Sequence, residues 1–331
     1  MTAWDELLDE FRKLGGTADN IRLGQGEFGR GLFPVDATKP IAIRIPDNLL
    51  VNQDDMVLID GVPRVGPNVR IGERERSWLD RYQQEFAWPD GAEHISKIMD
   101  MAAALPPELR QSLSTKYGCG RWFEEPTDAL VLDLFLTARS INYGDRLVVM
   151  PIVEMANHGA GSSYDLDNGV GLRGSFAGEI LATYSASDSY EFFCSWGFAI
   201  QCPVAFSLGL TGKIDSLPLT IEREFDGDMS SERSWIPQLK KTPENIRLPF
   251  LLIGNRNFPR LPKGIFYPLM RSAGYRGFIE SFDLIHHVNQ LHFVNLLLEL
   301  DGIEVPIAKT VRTMALYQLR AMSFCWGVRE I

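Results

Sequence analysis

The sequence predicts an α+β chain: a β-rich domain of short strands carrying a helical insert, followed by a mainly helical C-terminal domain. Three observations predict it. Short apolar runs bounded by Gly, Pro and Asp dominate residues 1–72, and helical spacing replaces them across 73–140. Short strands return across 141–202, after which 203–331 ends in two long runs of helical character. A β-domain interrupted by helices and then resumed is the simplest account of that order.

Taken in turn, Trp4, Leu7, Leu8, Phe11 and Leu14 fall at helical spacing, and Gly15-Gly16 closes that helix. Strand-like IRL at 21–23 follows, then a glycine-rich turn, GLF at 31–33 and IAIRIP at 41–46, which closes on a proline. Leu49 to Val51, MVLI at 56–59 and VRI at 69–71 continue the short-strand pattern. In the insert, Trp78, Tyr82 and Phe86 make one apolar stripe, and Leu130, Leu132, Leu134, Phe135 and Ala138 a denser one. Strands are expected at 147–152, 170–172 and 179–184, with a short amphipathic helix after Tyr184. Beyond Pro203, PLTIEREF at 218–225 reads as a strand and 226–248 as a loop. The stretches 278–300 and 307–326 read as helices, the second starting after Pro306.

At 331 residues the chain has room for two or three domains, and its 45% hydrophobic and 23% charged content is that of a soluble protein. No apolar run reaches the roughly 18 residues of a membrane helix, so no membrane partner is expected. The start, MTAWDELLDEFRKLGG, is acidic and amphipathic rather than a basic, apolar leader, which gives a cytoplasmic expectation. A formal charge of −10 argues against nucleic acid; it would suit a cationic target, although solubility alone also accounts for it. Cys119, Cys194, Cys202 and Cys325 are far apart and form no CxxC pair, so reduced, buried thiols are expected in place of a zinc cluster or disulfides.

Several motifs have competing explanations. GQGEFG at 24–29 is a literal G-x-G-x-x-G, but a dinucleotide site needs a helix to start there, and Pro34 and Pro40 follow with no helical stripe. The glycines then serve a tight turn, with or without a ligand against its backbone. His286, His287 and His292 share one predicted helix at the wrong spacing for a metal pair, and no metal is expected. Glu154 and His158 could suggest a hydrolase, yet no G-x-S-x-G elbow accompanies them. A structural Asn157–His158 pair that satisfies backbone groups is the plain alternative. Tyr184 alone would be read as a core tyrosine.

The order of these pieces resembles SET-domain methyltransferases of the Rubisco large-subunit lysine methyltransferase-like group. The resemblance covers most of residues 1–200. It is carried by the N-terminal helix ending in Gly-Gly, by GRGLF at 29–33 and by IPDNLLV at 45–51. Ala138-Arg139 stands where the group has Ser-Arg, and Pro151 to His158 fits its Pro-x-x-Asp-x-x-Asn-His with Glu154 for Asp. GEILATY at 178–184, a helix and Trp196-Gly197-Phe198 complete the series.

The resemblance implies S-adenosyl-L-methionine as methyl donor and a protein or peptide substrate, methylated at a side-chain nitrogen, first of all lysine. By carry-over, Phe28, Gly29 and Arg30 would line the cofactor with backbone groups. Arg139 would meet its carboxylate, and Asn157 and His158 its adenine and amino-acid ends. Tyr184 matches the catalytic tyrosine, while Glu154, Trp196 and Phe198 would belong to the substrate channel. The chain departs from the group in two further respects. Trp196 replaces a tyrosine, and the strand at 178–184 is one residue short. The first departure keeps two alternatives open: methylation of a target such as histidine, and a SET-like cofactor-binding protein with little or no transferase activity.

Overall fold

The first 72 residues follow the expected alternation closely. The computed structural model describes residues 2–214, 217–225, 235–242 and 245–325. Helix α1 (Ala3–Lys13) opens with a capping box: the Asp5 N–H donates to Thr2 Oγ1 at 3.2 Å, and the Thr2 N–H to the Asp5 carboxylate at 2.8 Å. Its buried stripe is Trp4, Leu7, Leu8 and Phe11, and Gly15 at φ +94° ends it. Then come β1 (Thr17–Asp19), β2 (Ile21–Gly26), β3 (Gly29–Pro34) and β4 (Ile41–Ile45). In β4, Ile41, Ile43 and Ile45 point into the core at the period of two that a half-buried strand requires. Strands β5 (Val51–Asn52), β6 (Met56–Ile59) and β7 (Val62–Val65) complete the block.

Two expectations fail here: of Leu49 to Val51 only Val51 is strand, because Leu49 ends a 3-10 turn over Asp47–Leu49. VRI at 69–71 is not a strand; the partner of β6 is β7, in register Met56↔Val65 to Ile59↔Val62. The loop after β7 is held by Arg76, whose guanidinium donates to Val65 O at 2.6 Å and to Val69 O at 2.8 Å. Such a side chain satisfies carbonyls that a ladder would otherwise have paired.

The helical stretch comprises α2 (Glu73–Tyr82), a π-helical turn over Gln83–Ala87, α3 (Trp88–Ala103), α4 (Pro107–Thr115) and α5 (Asp128–Thr137). Trp78, Tyr82 and Phe86 are buried as their spacing predicts, whereas Leu130 and Leu132 of the second stripe are only half-buried. Strands resume with β8 (Ser140–Tyr143), β9 (Arg146–Val149), β10 (Asn157–Ser162), β11 (Val170–Gly174) and β12 (Leu181–Ala182). β4 is the centre of a three-stranded antiparallel sheet, β1-β4-β11, while β5, β9 and β8 form another. The ladder at 179–184 is shorter than expected, because only Leu181 and Ala182 pair as strand.

Residues 1–97 and 126–184 make one compact unit; 98–125 and the described residues from 185 onward make a second. The second unit contains α6 (Ser189–Trp196), then β13 (Val204–Phe206), β14 (Leu210–Ile214), β15 (Leu217–Ile221), β16 (Lys240–Lys241), β17 (Ile246–Leu248) and β18 (Leu252–Asn255). Strands β16 and β17 lie in what reads as a loop, and β17 joins β15 in parallel. Helices α7 (Leu261–Ser272), α8 (Phe278–Glu299) and α9 (Pro306–Ser323) follow. β18 runs so close to α9 that a Cβ at Gly254 would overlap Ala321 O at 2.5 Å, which only glycine permits.

The hub of this second unit is Asp188, fully buried at the N-cap of α6. It accepts from the backbone N–H of Glu191 (2.9 Å) and of Phe206 (2.8 Å), from Gln318 Nε2 (2.6 Å) and from the Arg223 guanidinium (3.0 Å). Four donors on one carboxylate are what a buried charge needs to be tolerated.

Candidate active site

The glycine-rich motif is a β-hairpin. β2 and β3 pair in register Gly24↔Gly31 and Gly26↔Gly29, with Glu27 and Phe28 at the tip and Gly29 at φ +91°. Side chains opposite each other share a face, as do residues two apart, so Gly24, Gly26, Gly29 and Gly31 leave the turn end of one face without side chains of its own, beyond the Arg22–Phe33 pair. Strand, turn and strand exclude the dinucleotide explanation, as expected from the missing helix. A Cβ added at Gly26 or Gly31 would overlap the Glu179 carboxylate, and one at Gly24 would strike the Phe33 ring. The bare face is therefore covered by Glu179 at one end and Phe33 at the other. Phe28 is 58% exposed at the tip, so its side chain takes no part in the core.

The chain before β10 is bent by a γ-turn. Ile152 sits at φ 68°, ψ −55°, and the Val153 N–H donates to Pro151 O at 2.9 Å. Positive φ is costly for a β-branched residue, about 1–3 kcal/mol, so the surroundings must hold it. Tyr82 is one such restraint: its hydroxyl accepts from the Ile152 N–H at 2.9 Å and donates to Glu154 Oε1 at 2.6 Å. Glu154 Oε2 lies 3.6 Å from Arg139 Nε. Arg139 in turn stacks over the Phe135 ring, its centre 4.2 Å away, and passes over Gly91, where a Cβ would lie 2.7 Å from its guanidinium. Burial raises the Glu154 carboxyl above its usual range, an effect that the Arg139 charge partly opposes. Arg30 reaches Asp90 at 2.9 Å.

Asn157 and His158 are the first residues of β10, which pairs in parallel with β12 through Asn157↔Leu181 and His158↔Ala182. Segment 180–184 is gripped from two sides: the Ile180 N–H donates to Leu32 O of β3 at 2.8 Å, and the Thr183 N–H to Ser162 O at 3.1 Å. The Tyr184 N–H donates to His158 Nδ1 at 3.2 Å, so that nitrogen is unprotonated and the ring's proton is on Nε2. Burial depresses the His158 pKa, in keeping with a neutral ring. The Tyr184 hydroxyl donates to Ala156 O at 2.9 Å, and burial pushes its pKa up to about 12. Asn157 Nδ2 donates to Arg30 O at 3.2 Å and to Glu179 Oε1 at 2.6 Å. Beside Tyr184, the Tyr164 hydroxyl is buried with no hydrogen-bond partner among the described residues.

The structure thus brings together Gly29, Arg30, Arg139, Glu154, Asn157, His158 and Tyr184 within the first unit. Glu154, expected in the substrate channel, has its carboxylate buried between Tyr82 and Arg139. Trp196 and Phe198 belong to the second unit, where both rings pack on Phe192, at 5.0 and 5.8 Å. Sequence reasoning left out Tyr82, Tyr164 and Glu179. Glu179 was visible only as part of a Gly-Glu strand marker, and Tyr82 only as an apolar stripe. The predicted histidine helix carries no metal cluster among the described residues. His286 meets Met322 O at 3.1 Å, and His292 packs edge-on to Tyr117.

His94, His158, His286 and His292 are all held below the ordinary 6.5, in each case first by burial. A depressed folded-state value means stability that is complete above 6.5 and lost as pH falls through the depressed values. The melting temperature should therefore drop as pH is lowered from about 6.5 towards about 5. His158→Gln, which keeps an acceptor but cannot charge, should shallow that drop. An identical slope in the variant would show that His158 does not contribute.

No family model matches the sequence, and no curated protein matches it. Among solved structures, the SET domain of LSMT bound to lysine and AdoHcy is similar, at 14% identity and TM-score 0.45, over 98% of this chain and 91% of that one. Rubisco LSMT bound to AdoMet is similar over 97% and 91%, at 14% identity and TM-score 0.44. Rubisco LSMT bound to sinefungin and monomethyllysine is similar over 97% and 90%, at 14% identity and TM-score 0.43.

Proposed function

We propose that the chain is an S-adenosylmethionine-dependent methyltransferase acting on a side-chain nitrogen of a protein or peptide, with lysine as the first target to test and a cytoplasmic setting. The observation that carries this reading is the joining of Asn157, His158 and Tyr184 by hydrogen bonds around the start of β10, with Asn157 reaching the glycine-rich hairpin at Arg30 O.

The donor set suits such a cofactor. Its amino-acid end needs a cation for the carboxylate and acceptors for the ammonium. Arg139 supplies the first, and Asn157 Oδ1 with the backbone carbonyls of 28–30 the second. At the hairpin tip Gly29 has no atom within 4 Å of where a Cβ would lie, so its backbone is open to a ligand. The buried Tyr164 hydroxyl has hydrogen-bonding capacity to spare. When bound, S-adenosylmethionine supplies an electrophilic methyl group on a positively charged sulfur.

The chain's own contribution is alignment and exclusion of water. Because the Tyr184 hydroxyl spends its proton on Ala156 O, its oxygen is left with lone pairs turned away from that carbonyl. Those lone pairs can hold a polarised C–H group or an amine N–H. The burial that raises Tyr184 and lowers His158 also lowers the pKa of an entering ammonium, favouring the neutral amine that reacts. Histidine as target, or cofactor binding without turnover, gains support from Trp196 standing where the related group has a hydroxyl.

Calorimetry with S-adenosylmethionine, paired with radiolabelled methyl transfer into a cell lysate, tests the proposal. Binding with incorporation into protein is the expected result. Binding without incorporation selects the inactive alternative, and absence of binding overturns every cofactor-based reading.

A further inference from the structure

We propose that Glu179 is the counter-charge for the ammonium group of the donor's amino-acid end, a role that rests on the cofactor reading above. Its carboxylate lies flat on the glycine face of the β2–β3 hairpin, where a Cβ at Gly26 would overlap one oxygen and a Cβ at Gly31 the other. It is fixed there by Asn157 Nδ2, which donates to Oε1 at 2.6 Å, and by the bond from the Ile180 N–H to Leu32 O next to it in the chain. Among the described residues no lysine or arginine pairs with it, in contrast to Glu154, which is already engaged by Tyr82 and faces Arg139. A partly enclosed carboxylate whose sole donor among the described residues is a neutral amide retains lone pairs for a cation.

The two charges of an amino-acid zwitterion need opposite partners a few ångströms apart. Arg139 and Glu179, both in the first unit, offer the two charges, and each acts electrostatically on the Tyr184 phenol. The glycine pattern at 24, 26, 29 and 31 then has a purpose beyond the turn. It lowers the hairpin floor enough for a carboxylate and an ammonium to meet on it.

The test compares two neutral-sulfur ligands, S-adenosylhomocysteine, which keeps the ammonium, and 5′-methylthioadenosine, which has no amino-acid end. In Glu179→Gln, calorimetry should show about a tenfold loss of affinity for S-adenosylhomocysteine and none for 5′-methylthioadenosine, with an unchanged melting temperature. Should that variant not accumulate as folded protein, Gly26→Ala pushes the carboxylate off the face without meeting Asn157 and should give the same split. Equal losses for both ligands, or no loss for either, would overturn the role of Glu179 while leaving the cofactor reading intact. Wild-type protein that binds neither these ligands nor S-adenosylmethionine would instead overturn the cofactor reading itself.

Discussion

Tyr184→Phe is expected to lower methyl incorporation by about 100-fold, the scale seen when one positioned hydrogen-bonding group is removed from a reacting centre. Cofactor affinity should stay within about twofold, because the assigned cofactor ligands are Arg139, Asn157, His158 and backbone groups rather than the hydroxyl. The variant leaves Ala156 O without its donor, at a cost of about 1–3 kcal/mol, which an ordinary domain survives. Rates measured under saturating cofactor and substrate, once a substrate is found in the lysate experiment, decide the matter. A variant with wild-type turnover would remove Tyr184 from the chemistry.

The largest effect on stability is expected at the Asp188 hub. Arg223→Ala should cost about 3–5 kcal/mol in urea unfolding, since it strands a fully buried carboxylate without its cation. Burial works against the Arg223 charge, yet Asp188 and Glu191 outweigh it, and its pKa is raised. Replacing both partners, as in Asp188→Asn with Arg223→Met, should cost less than the sum of the single changes. Strictly additive losses would show that the two side chains are not coupled.

Much of this architecture was legible because local pattern and burial agree. Helix α1 follows from its stripe and its Gly-Gly stop, β4 from its alternating isoleucines, and α8 and α9 from long runs that nothing interrupts. Where the structure departs from the pattern, a particular pairing or side-chain bond overrides local propensity. β7 contains Pro63 and Arg64, poor strand signals, yet pairs with β6, while the more strand-like Val69–Ile71 is taken by Arg76. Helix α7 was hidden by Pro262 and Pro268; the first sits in its opening turn, where no backbone donor is missed.

The candidate site divides in the same manner. Asn157, His158 and Tyr184 could be singled out because their order along the chain is distinctive. Tyr82 could not, because its hydroxyl matters only through Ile152 and Glu154, some seventy residues away. Glu179 needed the register of the β2–β3 hairpin to show that its carboxylate rests on glycines.

The way the chain divides between its units has a consequence for synthesis. Segment 180–184 closes the first unit by bonding to Leu32, about 150 residues upstream, and to Ser162. A nascent chain therefore cannot complete the candidate site until residue 184 has left the ribosome, and its β2–β3 hairpin must wait with its glycine face uncovered. The second unit waits longer still. Residues 98–125, including buried Leu113, Tyr117 and Trp122, are made early but belong with elements that start at 185. Such long-range closure is slow and leaves apolar surface exposed meanwhile. Fragments cut at residue 184 should aggregate, because neither unit can be expressed as a continuous piece of this sequence.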